Sequence, residues 1–243
     1  MERLQKVIAQ TNIASRRQAE QMILDGRIKV NGVVVKELGT KVSKNDEILV
    51  DNKKIKLEKK IYLLMNKPTG YLVTTSDNKE RRTVMDLLLD EYKGVRVYPV
   101  GRLDYDMAGL ILLTNDGDLT LKLTNTNMIV EEEFFVRVQG VIIRKDMARI
   151  RKGIKLPKHG FIKPTEVNLI EHDKTNQSTL LRFVFKSTNN VPIKEMMKEY
   201  NYPSKNITRV GYDFLTLEGV KRGGYRALTV HEVRKLHSKQ IKK

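Results

Sequence analysis

An aspartate and an arginine two residues apart are the side chains in this sequence best placed to do chemistry. Arg102 and Asp104 lie in a loop between two apolar segments, the second of which is the run 110–113. A carboxylate in such a loop could act as a nucleophile or a general base, and it could equally be a turn or cap residue. If it were buried, it would need a cationic partner, because an unpaired buried charge is costly.

Asp106 adds a second carboxylate to the loop. Two carboxylates can flank a glycosidic bond, but residues i and i+2 in an extended loop tend to point apart. The sequence therefore disfavours a glycosidase pair made of Asp104 and Asp106. Asp106, Asp116 and Asp118 are interpreted as turn and cap residues.

Several other chemistries lack support in the sequence. There is no cysteine, so disulfides, thiolate metal sites and cysteine nucleophiles are excluded. Phosphate-binding loops, dinucleotide-binding glycine motifs and hydrolase elbows are missing as well. The four histidines show no metal-ligand spacing: His159, His172, His231 and His237. We therefore expect no metal site.

The charge favours a polyanionic partner. The chain has 46 Lys and Arg against 29 Asp and Glu, a net charge of +17, of which residues 1–59 carry +5 and residues 60–243 carry +12. No secretory signal is recognised, and the longest apolar run is too short for a membrane helix. We expect a cytoplasmic protein that binds nucleic acid.

The first sixty residues have the pattern of a small unit with two helices and a β-hairpin. Leu4 and Ile8 share one face of a first helix, and Ser15 with Gln18 has the form of a capping box for a second. Asn31-Gly32 between apolar triplets predicts a hairpin turn. A further strand is expected at 47–50, and the lysine-rich tract 51–60 is the best linker candidate. The predicted domains are therefore 1–59 and 60–243.

The second domain alternates longer strands with helices. Because strands dominate and often follow one another, an α+β fold with a mixed, mainly antiparallel sheet is expected. The predicted strands are 61–65, 110–114, 134–138, 165–170 and 179–185, and the predicted helices are 83–92, 144–152, 192–200 and 229–238.

The N-terminal unit resembles the RNA-binding domain first described in ribosomal protein S-four. The resemblance rests on the segments 3–6, 15–20 and 28–32. A capped helix with arginines in its first turn can direct guanidinium groups at phosphates. The residues expected to bind RNA are Arg3, Lys6, Arg16, Arg17, Lys29 and Asn31, together with Lys67 of the second domain.

The whole chain resembles the RsuA/RluB family of ribosomal-RNA pseudouridine synthases, most closely its RluB branch. The segments that carry this resemblance are 63–70, 98–118, 133–138 and 226–229. The resemblance implies isomerisation of a uridine to pseudouridine in ribosomal RNA without a cofactor, with a leaning toward the large subunit and a monomeric enzyme. The alternatives are a small-subunit enzyme and a catalytically impaired RNA-binding assembly factor on the same fold.

The resemblance also implies roles for four residues. Asp104 matches the invariant aspartate, acting as nucleophile on the sugar or the base or as base at the ribose. Arg102 would occupy the space in the RNA stack that the flipped uridine vacates. Lys194 would lie against Asp104, and Phe134 would stack near the target base. The family has tyrosine at the position of Phe134, and a glycine- and arginine-rich segment where this chain has 189–196, including Pro192, Lys194 and Glu195.

Overall fold

A computed structural model describes residues 1–125, 127–187 and 191–240. The chain divides into two compact units, Met1–Lys60 and Ile61–Lys243. Within the described residues, no helix is both long and apolar enough to span a bilayer. A functional division between residues 59 and 60 stays a prediction.

The first unit consists of two helices and six short strands. Its elements are β1 (Glu2–Arg3), α1 (Leu4–Ala9), α2 (Arg16–Leu24), β2 (Ile28–Val30), β3 (Val33–Val35), β4 (Lys41–Val42), β5 (Ile48–Val50) and β6 (Lys53–Lys54). β1 pairs with β4, and the other strands form a sheet in the order β3-β2-β5-β6. Apolar side chains from both helices and from the sheet form one core.

Local sequence signals explain the ends of these elements. The hydroxyl of Ser15 accepts from the backbone N–H of Gln18, whose side chain accepts from the backbone N–H of Ser15, so the predicted capping box is confirmed. Asn31 has a φ of +50°, as a two-residue hairpin turn requires, and the predicted hairpin joins β2 to β3.

The lysine-rich tract is not a linker along its whole length, contrary to the sequence prediction. β6 pairs with β5, and Ile55 packs against the core of the first unit. Asp51 and Asn52 both have positive φ, which turns the chain back into this hairpin. The sequence does not reveal this turn, because the exposed lysines around it have the composition that is typical of a linker.

The second unit contains eleven strands, five α-helices and one 3-10 helix within the described residues. The strands are β7 (Tyr62–Lys67), β8 (Tyr98–Val100), β9 (Ala108–Thr114), β10 (Val130–Gln139), β11 (Ile154–Leu156), β12 (Gly160–Ile162), β13 (Glu166–Asp173), β14 (Ser178–Ser187), β15 (Ser204–Tyr212), β16 (Leu215–Thr216) and β17 (Tyr225–Ala227). The helices are the 3-10 turn Val84–Leu87, α3 (Asp90–Lys93), α4 (Gly117–Leu123), α5 (Arg144–Lys152), α6 (Ile193–Glu199) and α7 (Val230–Ser238).

Nine strands form one sheet, with the path β13-β14-β10-β15-β9-β7-β17 and with β8 and β16 attached to β9 and β15. Every pair in it is antiparallel except β15 with β9. The predicted α+β class and the mixed, mainly antiparallel sheet are confirmed. β9 is buried along its whole length, with Leu110 and Leu112 in one core and Ile111 and Leu113 in another, so both faces of the sheet are covered.

The prediction of one continuous helix over 83–92 is wrong, because the structure interrupts it in the middle. Thr83 caps as expected, but it starts a single 3-10 turn, and Leu88 and Leu89 are extended before α3 begins. Burial of Leu88 accounts for this break, because the extended backbone turns that side chain into the core. Pro192 is the N-cap of α6 rather than its first residue.

The parallel contact of β9 with β15 sets the position of the loop before β9. Gly109 has a φ of +111°, and a Cβ there would lie 2.1 Å from the carbonyl oxygen of Arg209. Only glycine fits such a close approach of two backbones. The two central strands therefore meet directly at the end of the loop that carries Asp104.

Candidate active site

Asp104 lies in the loop 101–107, which joins β8 to β9. Leu103 and Met107 are buried and anchor the loop in the core, whereas the side chain of Asp104 is 49% exposed. The backbone N–H of Met107 donates to the carbonyl of Asp104 at 3.1 Å and closes a turn. The backbone is thus fixed while the carboxylate stays accessible.

The ammonium group of Lys67, at the end of β7, holds this loop from inside the protein. Its Nζ donates to the carbonyl oxygens of Met107 at 2.6 Å, Asp104 at 3.0 Å and Pro68 at 3.2 Å. The carbonyl of Tyr105 lies 3.5 Å away. Because these acceptors belong to both sides of the loop, one buried cation fixes the backbone on which Asp104 is mounted.

The expectation that Lys67 binds RNA is therefore wrong. Its side chain is 0% exposed, so no phosphate can reach the ammonium group. Burial lowers the pKa of Lys67 to about 8, and the nearby charges of Asp106 and Asp104 act in the opposite direction. Lys67 is a positioning residue of the loop.

Lys194, in the first turn of α6, joins the two carboxylates of the loop. Its Nζ donates to Oδ2 of Asp104 at 2.8 Å and also to Oδ1 of Asp106. Burial alone would lower the pKa of Lys194, but the hydrogen bonds that it donates to both carboxylates, and then their charges, raise that pKa above its usual value. Burial likewise opposes the lowered pKa of Asp106, which the hydrogen bond and charge of Lys194 produce. Lys194 therefore stays charged near neutral pH. The carboxylates of Asp104 and Asp106 both remain accessible to solvent.

The structure places Arg102 and Phe134 differently from each other. Arg102 is exposed, two residues before Asp104. Phe134 is 1% exposed, and its ring packs edge-to-face on Phe185. Strand register sets Phe134 opposite Arg209, which in turn pairs with Gly109 at the end of the loop. Phe134 is at the level of the site in the sheet, but its ring is in the core, so the expectation that it stacks near the target base is wrong.

The first turn of α6 carries the other departures from the family pattern. Glu195 is exposed, and its Oε1 lies 3.3 Å from Nε2 of His159, so it points away from the carboxylates that Lys194 joins. Asn189 and Asn190 lie outside the described residues. The charge reversal at Glu195 therefore leaves the contact between Lys194 and Asp104 intact.

The predicted RNA-binding residues of the first unit are all at its surface. Arg3, Arg16 and Arg17 are exposed, whereas Lys6 and Lys29 are half-buried. The remaining one, Asn31, uses its side chain within the turn: its amide donates to Asp46 and its oxygen accepts from the backbone N–H of Glu47.

Sequence reasoning missed two features of the site. Asp106 was interpreted as a turn residue because only the structure brings it to Lys194. Arg209 was not recognised, and its Nη1 lies 2.6 Å from Oε1 of Glu132 while its Nε donates to the carbonyl of Leu110 at 2.8 Å. The only signal for this buried pair is a charged residue at an inward position of each strand.

Comparison with known proteins connects this geometry to an activity. Residues 2–48 match the S4 domain, and residues 61–199 match the family described as RNA pseudouridylate synthase. The chain is 38% identical over 240 residues to ribosomal large subunit pseudouridine synthase B of Bacillus subtilis, covering 98% of this chain and 96% of that protein. It is 34% identical to an RNA pseudouridine synthase of Aquifex aeolicus, covering 96% and 93% of the two chains.

A solved structure agrees with the sequence comparisons. The crystal structure of a pseudouridylate synthase superposes with a TM-score of 0.62 at 25% identity, covering 97% of this chain and 100% of the other. The fold and the site define an RNA-modifying enzyme that carries an S4 domain before its catalytic unit. The chain belongs to the RNA pseudouridylate synthase family.

Proposed function

We propose that this enzyme converts one uridine of large-subunit ribosomal RNA into pseudouridine, with Asp104 as its catalytic residue. The observation that carries the proposal is the accessible carboxylate of Asp104, held by Lys194 on a loop that the buried Lys67 clamps. The relative from Bacillus subtilis, whose name specifies the large subunit, supports the choice of RNA.

The reaction needs no redox partner. The bond from N1 of uracil to C1′ of the ribose breaks, a bond from C5 to C1′ forms, C5 loses its proton and N1 gains one, so the product is an isomer of the substrate. Asp104 acts either by attacking the sugar or the base or by removing a proton from the ribose. Lys194 keeps its charge beside that carboxylate throughout.

The target uridine has to leave its stack to reach a carboxylate in a loop. We propose that Arg102, exposed two residues from Asp104, fills the space that the uridine vacates. Phe134, whose ring is in the core, supports the floor beneath the base without touching it.

The first unit supplies a separate RNA contact in this proposal. Residues 1–59 are the RNA-binding domain and residues 60–243 the catalytic domain. Arg16 and Arg17, in the first turn of α2, contact phosphates, and Arg3, Lys6, Lys29 and Asn31 extend that contact. The enzyme works as a cytoplasmic monomer.

A pseudouridine map of ribosomal RNA, made by carbodiimide modification with and without the gene, tests the function. We expect one large-subunit position to lose its signal in the deletion strain and regain it when the gene is restored. Loss of a small-subunit position instead would move the substrate to the other ribosomal RNA. An unchanged map would refute the enzymatic proposal and favour a non-catalytic assembly factor.

We expect Asp106 to be a positioning residue that acts through Lys194. Asp106→Ala should lower kcat about fivefold, because a partly exposed ion pair contributes about 1 kcal/mol, and should leave KM unchanged. Lys194→Arg in the Asp106→Ala background should recover part of kcat, because a guanidinium can grip Asp104 alone with two hydrogen bonds. Steady-state kinetics on a large-subunit transcript measure both effects.

A matched control for Asp106 is Glu199→Gln, which removes an exposed carboxylate from the same helix as Lys194. It should leave kcat at the wild-type value. Equal kinetics for Asp106→Ala and the wild type would show that the contact with Lys194 has no catalytic role.

A further inference from the structure

A strongly basic segment of the second unit has no role in the site described above. Residues 141–163 contain eight Lys and Arg and one Asp, and they form α5 and the hairpin β11–β12. Seven of the eight cations are exposed and make no ion pair within the described residues; these are Arg144, Lys145, Arg151, Lys152, Lys155, Lys158 and Lys163.

The outer face of the hairpin β11–β12 combines a cation with an aromatic ring. Lys155 and Phe161 pair directly across the two strands, so their side chains share one face. Phe161 is 64% exposed, whereas Leu156 is buried on the opposite face. Among the described residues this ring makes no contact with another aromatic ring or with a cation, and it is a surface on which a flat apolar group can stack.

The hairpin has a closely packed base and contacts the helix that carries Lys194. Gly153 enters it with a φ of +81°, and a Cβ there would lie 2.5 Å from the carbonyl oxygen of Ile162. At the other end, His159 contacts Glu195, the residue after Lys194 in α6. The exposed ring of Phe161 and the cations Lys155 and Lys158 therefore lie on an element that packs against the helix holding Lys194.

We propose that the outer face of the hairpin β11–β12 is a second RNA contact, at which Phe161 stacks on an unpaired base near the target uridine while Lys155 and the cations of α5 bind phosphates. Only one part of this proposal rests on the proposed function, namely that the bound base lies near a target uridine. Unpaired RNA presents a flat base and a phosphate one nucleotide apart, and aromatic rings flanked by lysines and arginines bind it in that way.

Binding of the full chain to two fluorescent probes tests the proposal. The probes are a decamer of oligouridylate and an RNA duplex of ten base pairs. We expect Phe161→Ala to weaken oligouridylate binding about tenfold, because stacking contributes substantially to affinity for single strands, and to leave duplex binding unchanged. Phe161→Trp should restore the affinity, since it keeps a stacking face. A decamer with 5-iodouridine should crosslink to Phe161 on irradiation.

Activity supplies a further readout. On a large-subunit transcript, Phe161→Ala should raise KM about tenfold and leave kcat unchanged, since Phe161 does not touch the reacting atoms. Leu121→Ala is the matched control, because Leu121 is an exposed apolar residue of α4, outside the basic segment. It should change neither probe binding nor KM.

Three results would overturn the proposal. One is unchanged oligouridylate binding by Phe161→Ala, and another is an equal loss for single strand and duplex, which would reduce the surface to a charge effect. The third is that Phe161→Ala floats less with phosphatidylglycerol vesicles than the wild type does while its RNA binding is unchanged. That result would make the surface a membrane contact. If wild-type protein makes no pseudouridine, the proposed function fails while the comparison of the two probes still decides the role of Phe161.

Discussion

Replacing Asp104 with asparagine is expected to abolish pseudouridine formation while RNA affinity stays at the wild-type value. Asparagine keeps the shape of the side chain but is neither a nucleophile nor a base, so the single-turnover rate should fall about 10⁴-fold or more. The fold should be unaffected because the carboxylate is half-exposed and Asp106 still neutralises Lys194. Release of tritium from a transcript labelled at C5 of uridine measures the rate, since C5 loses its proton in the reaction.

The reciprocal variant separates binding from chemistry. Replacing Arg16 and Arg17 together with alanine should weaken RNA binding and reduce its dependence on salt, because phosphate contacts release counterions. At saturating enzyme, that variant should keep the wild-type rate. An Asp104→Asn protein that still releases tritium at a rate within about tenfold of the wild type would contradict the assignment of Asp104.

Replacing Lys67 with methionine is expected to have the largest effect on stability. Methionine fills a similar volume, but it leaves the buried carbonyl of Met107 without the ammonium donor and the carbonyl of Asp104 with only the backbone N–H of Met107. An unsatisfied buried carbonyl costs about 1–3 kcal/mol and a hydrogen bond to a charged group contributes about 1.5–3 kcal/mol, so the free energy of unfolding should fall by about 3 kcal/mol. Urea unfolding followed by circular dichroism measures this change. Lys174→Met, at an exposed lysine between β13 and β14, is the control and should unfold like the wild type.

The effect of Lys67 on stability should also depend on pH. The folded pKa is about 8, below the unfolded value of about 10.4, so between these values the unfolded chain binds more protons. The contribution of Lys67 to the free energy of unfolding therefore rises as the pH increases through this range. The difference between the wild type and Lys67→Met should be larger at about pH 9.5 than at about pH 7.5. A difference that stays constant would show that Lys67 has an ordinary pKa.

Local signals in the sequence predict the ends of elements well. The capping boxes that begin at Ser15 and Thr229 and the turn at Asn31 form as predicted, because each depends on residues within four positions of one another. β15 was not predicted. Arg209 occupies one of its inward positions, and its burial is possible only because Glu132 on the neighbouring strand pairs with it.

The sequence also indicates the exposed half of the site better than the buried half. The loop with Arg102 and Asp104 is evident from its residue types, and the family resemblance predicts the contact of Asp104 with Lys194, which the structure contains at 2.8 Å. The role of Lys67 could not be predicted, because a lysine in a basic protein is expected to be exposed. Only the three-dimensional arrangement shows four carbonyl groups around its ammonium group.

The direct contact of β9 with β15 at Gly109 has a consequence for how the protein folds. The two strands are separated by about a hundred residues of chain, so their pairing closes a long loop and brings together elements that no local turn connects. Such non-local pairing slows folding and comes late. During synthesis the chain cannot complete its central sheet until β15 has left the ribosome, so the newly made protein becomes competent to modify RNA only after that strand has emerged.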